Sequence, residues 1–185
     1  MRFISIVLAF TFSTATLFAM PAQILLIRHG EKPAQGNQLS KRGWERSQAL
    51  PFLFTNRTEF TSYGIPVALY AMAPEKQGGS IRAIQTLKYV SEIFKLPIET
   101  SFTRDEVKEV VDNINSNRLF DGKTIVLCWE HKVLVDMAHA LGVSKKLIWP
   151  KAQFDRVWVL DFSPNGDFVS FKDLPQKLLP NDSPY

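Results

Sequence analysis

The chain has 185 residues, 45% hydrophobic, 22% charged and 12% aromatic, a balance that excludes collagen-like, disulfide-scaffold and wholly disordered proteins. Its 22 Lys and Arg against 18 Asp and Glu leave a net charge of +4 with no basic block, so no nucleic-acid partner is expected. The single cysteine, Cys128, excludes an internal disulfide and a cysteine-cluster zinc site, and only three histidines are present, His29, His131 and His139.

Residues 1–22 read as a secretory signal peptide. Arg2 is the positive n-region, Phe3 to Phe12 the apolar h-region, and small residues follow as far as Ala19 and Ala22. The alternative is an uncleaved anchor, because Phe3 to Met20 approaches the lower length limit for crossing a bilayer. Cleavage gives an exported protein, periplasmic or secreted, that starts at Met20 or Gln23 and keeps no stable membrane association.

Residues 23–178 read as one domain. Gln23 to Ile27 is a short, wholly apolar run, as in a parallel strand covered on both faces. Leu39 to Phe54 has helical spacing. Val67 to Ala73 reads as a strand ended by Pro74 and Gly78-Gly79. Ile81, Ile84, Leu87, Val90 and Phe94 form a helical stripe that Pro97 ends, and Val107, Val110, Val111 and Ile114 form another. Thr124 to Trp129 is a second buried strand, followed by a helix over Val133 to Leu141. Arg156 to Phe162 alternates as a strand, and the turn Pro164-Asn165-Gly166-Asp167 returns it as a hairpin. The predicted fold is an α/β three-layer sandwich: a mostly parallel central sheet, helices on both faces and an antiparallel edge strand. Residues 179–185, rich in Pro, Asn, Asp and Ser, are expected to fray.

In open α/β sheets, ligands bind beyond the carboxyl ends of the strands. Two histidines lie there: the first buried strand runs into Arg28-His29-Gly30-Glu31, and the other into Glu130-His131-Lys132. Arg82 opens a helix after the middle strand, where an arginine and the helix N-terminus suit a phosphoryl group. His139 has no motif around it and reads as structural, Cys128 as a buried small hydrophobe, and Trp44 and Trp129 as core. Asn37, in the loop after His29, is a further candidate for phosphate contact.

Leu26-Ile27-Arg28-His29-Gly30-Glu31-Lys32, Leu39-Ser40-Lys41-Arg42-Gly43, Ser80-Ile81-Arg82-Ala83-Ile84-Gln85-Thr86 and Trp129-Glu130-His131, in that order, resemble the histidine phosphatase superfamily, the phosphoglycerate-mutase-like group. The resemblance covers Gln23 to Gly142 and is only architectural beyond Lys151. It implies that His29 is a nucleophile forming a phosphohistidine, that Arg28 and Arg82 clamp the phosphoryl oxygens, and that His131 donates a hydrogen bond to them. It implies no cofactor and no metal, since these four basic groups would offset the phosphoryl charge. In the phosphoglycerate-mutase-like branch the proton donor is a glutamate after the second clamp arginine. The matching stretch here is Thr103-Arg104-Asp105-Glu106, with Glu106 the candidate. Thr103 and Glu106 also have the spacing of a capping box, and Asp105 and Glu31 are alternatives. A phytase-type acid after the second histidine is absent, because Lys132 stands there. The expected function is an exported phosphomonoesterase acting on a small phosphorylated substrate. The alternatives are a phosphomutase and a phospho-ligand-binding module with weak or no turnover.

Overall fold

A computed structural model describes residues 20–183, so most of the proposed signal peptide and the last two residues of the tail lie outside the described residues. The chain runs β1 (Gln23–Arg28), α1 (Lys41–Asn56), α2 (Thr58–Thr61), β2 (Ala68–Ala71), α3 (Arg82–Phe94), β3 (Ile98–Glu99), α4 (Val107–Ser116), β4 (Thr124–Trp129), α5 (His131–Ala140), β5 (Arg156–Phe162) and β6 (Phe168–Pro175). The strands form one sheet in the order β3-β2-β4-β1-β5-β6. The first four pair in parallel. β5 runs antiparallel to β1, and β6 pairs antiparallel with β5 at the edge. Helix α1 packs on α3 and α4 on α5, which completes the three-layer α/β fold expected from the sequence.

Every residue of β1 and β4 is buried, which is why neither segment alternates. Each buried Leu or Ile there contributes about 1.5–3 kcal/mol of transfer free energy. Helix α1 starts where the Ser40 hydroxyl accepts the Gly43 N–H at 3.2 Å. Helix α3 stops at Lys95, whose φ of 57° is left-handed, two residues before Pro97. The two-residue strand β3 is too short to carry a periodic signal and escapes a sequence reading. Helix α5 begins at His131 rather than Val133, directly at the end of β4, so the second histidine stands on a helix N-terminus. Among the described residues, no helix is long and apolar enough to cross a membrane.

The packed chain extends past both ends of the 23–178 span. At the front, Met20 and Ala22 are buried; the Met20 carbonyl accepts Gly122 N–H at 3.0 Å and the Ala22 carbonyl accepts Phe162 N–H at 2.9 Å. At the back, residues 179–183 do not fray as their composition suggests. The Asp182 carboxylate, 3% exposed, accepts hydrogen bonds at 2.7 and 3.0 Å from Arg46, whose own side chain is 1% exposed. It also accepts Leu178 and Leu179 N–H at 3.0 Å each, while Ser183 N–H donates to Asp155. A buried guanidinium must be paired, and the tail supplies the carboxylate that pairs it. Burial alone would raise the Asp182 carboxyl, but the Arg46 hydrogen bonds and the two backbone donors outweigh it and hold it below the usual carboxylate range. A carboxyl lowered by folding stabilises the protein above its unfolded pKa, and that contribution disappears as pH falls through the folded value. Asp182→Asn is therefore expected to lower stability by about 1.5–3 kcal/mol at pH 7, the usual worth of hydrogen bonds to charged groups. Thermal melts across pH check this: the gap to the wild type should narrow as pH falls through the carboxylate range.

Candidate active site

The register of β1 with β4 builds the site. Arg28 pairs with Trp129, so the next residues, His29 and Glu130, leave the sheet side by side, and His29 N–H still donates to the Trp129 carbonyl at 3.1 Å. A cavity of about 250 Å³ opens at these strand ends. It is lined by His29 after β1, Met72 and Ala73 after β2, and Glu130 after β4. Ser80 and Arg82 reach it from the start of α3, and Arg104 from the segment before α4. That segment is pinned to the strand ends, since Phe102 carbonyl accepts Ala73 N–H at 2.8 Å and Arg104 carbonyl accepts the Trp129 indole N–H at 2.9 Å.

Glycine lets the His29 loop lie against α1. A Cβ on Gly30 would stand 3.1 Å from the Gly43 carbonyl oxygen, and a Cβ on Gly43 would collide with the Glu31 carbonyl. Gly30 N–H donates to Thr86 Oγ1 at 2.8 Å, which ties the loop to α3 as well. The His29 Nδ1 lies 2.8 Å from the Gly30 carbonyl. A carbonyl only accepts, so Nδ1 carries the hydrogen and Nε2 the lone pair. Burial, reinforced by the charges of Arg28 and Arg82, pushes His29 down to about 4. The ring is neutral across the physiological range, the form a nucleophilic imidazole needs.

Arg28 and Arg82 act on the His29 ring, and His131 follows Glu130 at the start of α5. Arg28 is buried; its Nη1 donates to the Lys151 and Gln153 carbonyls at 2.7 and 2.8 Å, and its guanidinium carbon lies 3.7 Å from the Phe154 ring centroid. Burial lowers it to about 10. Arg82 is held by Gln38 carbonyl at 3.0 Å, Ser80 Oγ at 3.1 Å and the Gly36 carbonyl. His131 is buried, and burial with the charge of Arg28 lowers it while Glu130 opposes that shift. Its Nδ1 lies 2.7 Å from Glu130 Oε1, but the approach is misaligned for a hydrogen bond and Nδ1 has no hydrogen-bond partner. Among the described residues, the buried side-chain nitrogens without a hydrogen-bond partner are Arg28 Nε, Arg104 Nε and His131 Nδ1. Arg104 lines the cavity with His29, and Arg28 and His131 do not line it but both feel the charge of Glu130, which does.

No protein-family model matches the chain, and no curated protein matches it by sequence. Solved structures do match. The protein histidine phosphatase SixA, in a complex with tungstate, superposes with a TM-score of 0.60 at 14% identity, covering 83% of this chain and 97% of its own. The fold is that of the histidine phosphatases. A mycobacterial glucosyl-3-phosphoglycerate phosphatase shares this histidine phosphatase fold at a TM-score of 0.51 and 12% identity, with 83% of this chain and 97% of its own covered.

Of the residues read from sequence, His29 and Arg82 line the cavity, while Arg28 does not line it but is close enough to both His29 and His131 to lower their ionisation, and His131 stays off the cavity wall. Glu106 is elsewhere. Its carboxylate accepts both Thr103 N–H and Thr103 Oγ1–H at 2.6 Å, so it closes the turn ahead of α4 and does not line the cavity. The alternatives fare no better: Glu31 is paired with Arg42 and Arg46 at 3.1 and 2.7 Å, and Asp105 is exposed. Asn37 spends its amide on the Gly78 and Gly79 carbonyls, tying two loops together. His139 Nδ1–H donates to the Val143 carbonyl at 2.6 Å, and Cys128 is fully buried, which pushes its thiol far up. Arg104 and Glu130 are the site residues that sequence reasoning missed. Arg104 lies inside the stretch searched for an acid, and Glu130 was seen only as the neighbour of a motif histidine. Among the described residues no group of three or more His, Cys, Asp or Glu side chains is placed to hold a metal ion. Glu106→Gln should therefore lower the melting temperature slightly and leave the ratio of aryl to alkyl phosphate hydrolysis unchanged, as steady-state assays on both substrates would show.

Proposed function

We propose that the protein is an exported phosphatase that transfers a phosphoryl group to His29 Nε2 and then to water. The observation that carries this reading is a neutral His29 at the wall of a cavity that Arg82 and Arg104 also line, with Arg28 close enough to act on the ring. In the first half-reaction the Nε2 lone pair attacks phosphorus while Arg28, Arg82 and His131 stabilise the charge on the non-bridging oxygens. The clamp consists of basic side chains, so the proposed reaction needs no metal.

The cavity accommodates a phosphoryl group with a small leaving group, next to the apolar Met72, Ala73 and Pro74. With Glu106 engaged at Thr103, no carboxylic acid from the predicted donor segment reaches the leaving group. Glu75 and Glu130 are the carboxylates that line the cavity, and the SixA neighbour is named a protein histidine phosphatase, which favours an N-phosphoryl group as the substrate class.

Rapid quench during turnover of p-nitrophenyl phosphate is expected to trap a phosphoprotein that is acid-labile and alkali-stable. His29→Ala should abolish both label and turnover, and exhaustive chelation should leave the wild type active. Label on the His29→Ala variant, or activity lost to chelation and restored by a divalent cation, would refute the assignment.

Export is part of the same proposal, and the packing of Met20 and Ala22 favours one junction over the other. Cleavage before Gln23 would strip out three buried residues, Met20, Pro21 and Ala22, and the carbonyl partners of Gly122 and Phe162, whereas cleavage before Met20 keeps them. N-terminal sequencing of the exported protein should read Met20-Pro21-Ala22; a chain that keeps Met1 in a membrane fraction would support the anchor.

A further inference from the structure

A phosphohistidine at His29 is released only when water attacks the phosphorus, and that water must lose a proton as its oxygen bonds. Most carboxylates near the site are committed elsewhere: Glu106 to Thr103, Glu31 to Arg42 and Arg46. Glu75 lines the cavity but is exposed. Glu130 is different. It lines the cavity with His29, leaves the sheet beside it by the β1–β4 register, and keeps a side chain only 20% exposed. Although it stands at the N-cap position of α5, its side chain makes no capping hydrogen bond, so the helix does not consume it. Arg104 Nη2 holds Oε2 at 3.5 Å, while Oε1 lies 2.7 Å from His131 Nδ1. A carboxylate held by Arg104 at the mouth of a cavity that His29 lines is a positioned proton acceptor.

We propose that Glu130 is the general base of dephosphorylation, an inference that rests on the phosphatase reading above. The water oxygen forms a new P–O bond as the P–Nε2 bond breaks. The electron pair of the broken bond returns to the His29 ring, which becomes neutral again with its hydrogen on Nδ1. The water proton passes to the Glu130 carboxylate and from there to solvent as orthophosphate leaves. Arg104 is the positioning residue that keeps Oε2 in place, reaching it from the cavity wall.

The test follows the two half-reactions separately in the full-length protein, with p-nitrophenyl phosphate as the probe. In Glu130→Gln the first-turnover burst of p-nitrophenolate should stay within a few-fold of wild type, while decay of the phosphoprotein slows about 10²-fold, the lower end of what a positioned base supplies. Formate added to Glu130→Ala should restore part of that decay rate. Unchanged decay would overturn the proposal, as would a burst slowed as much as the decay. Should Glu130→Gln fail to fold, Glu130→Asp makes the same comparison: a selectively slower decay supports the assignment and an unchanged one overturns it. If wild type forms no phosphoprotein at all, the phosphatase reading fails and takes this inference with it.

Discussion

The parallel pairing of β1 with β4 sets Arg28 opposite Trp129, and because parallel strands share a direction, both then release their next residues at the same edge of the sheet. His29 and Glu130 come to the mouth of the cavity through that register alone. A slip of one residue would turn every side chain of β1 to the opposite face and separate the pair. Both strands are buried along their whole length and do not alternate, so no polar face sets the register and the continuous parallel ladder between them holds it.

Arginines crowd this point: Arg28 and Arg82 act on His29, and Arg104 lines the same cavity. Burying so much positive charge is costly, and the protein reduces the cost in two ways. Arg28 is turned onto backbone carbonyls and the Phe154 face, and Glu130 stands among the cations as a counter-charge. What remains is a positive environment that keeps a buried imidazole uncharged.

Much of this was legible in the sequence. The two uninterrupted apolar runs announced the central strands, and the histidines at their ends announced the site. The capping-box spacing of Thr103 and Glu106 already held the competing reading that the geometry adopts. The rest depended on non-local contacts. Asp182 has a turn-like, polar setting that promises disorder, and only the buried Arg46, more than 130 residues earlier, explains why it is held. Arg104 looked like one charge in an acidic segment until the backbone bonds of Phe102 and Arg104 drew that segment onto the strand ends.

Gly43 does not line the cavity, yet its missing side chain is what lets the Glu31 carbonyl rest on α1. Three residues along the same helix, Arg46 grips Glu31 and Asp182. Helix α1 therefore works as a shared seat for the loop after β1 and the segment around Asp182. A new side chain at position 43 would press on the Glu31 carbonyl and disturb, through one helix, both the loop after β1 and the Asp182 carboxylate that Arg46 holds.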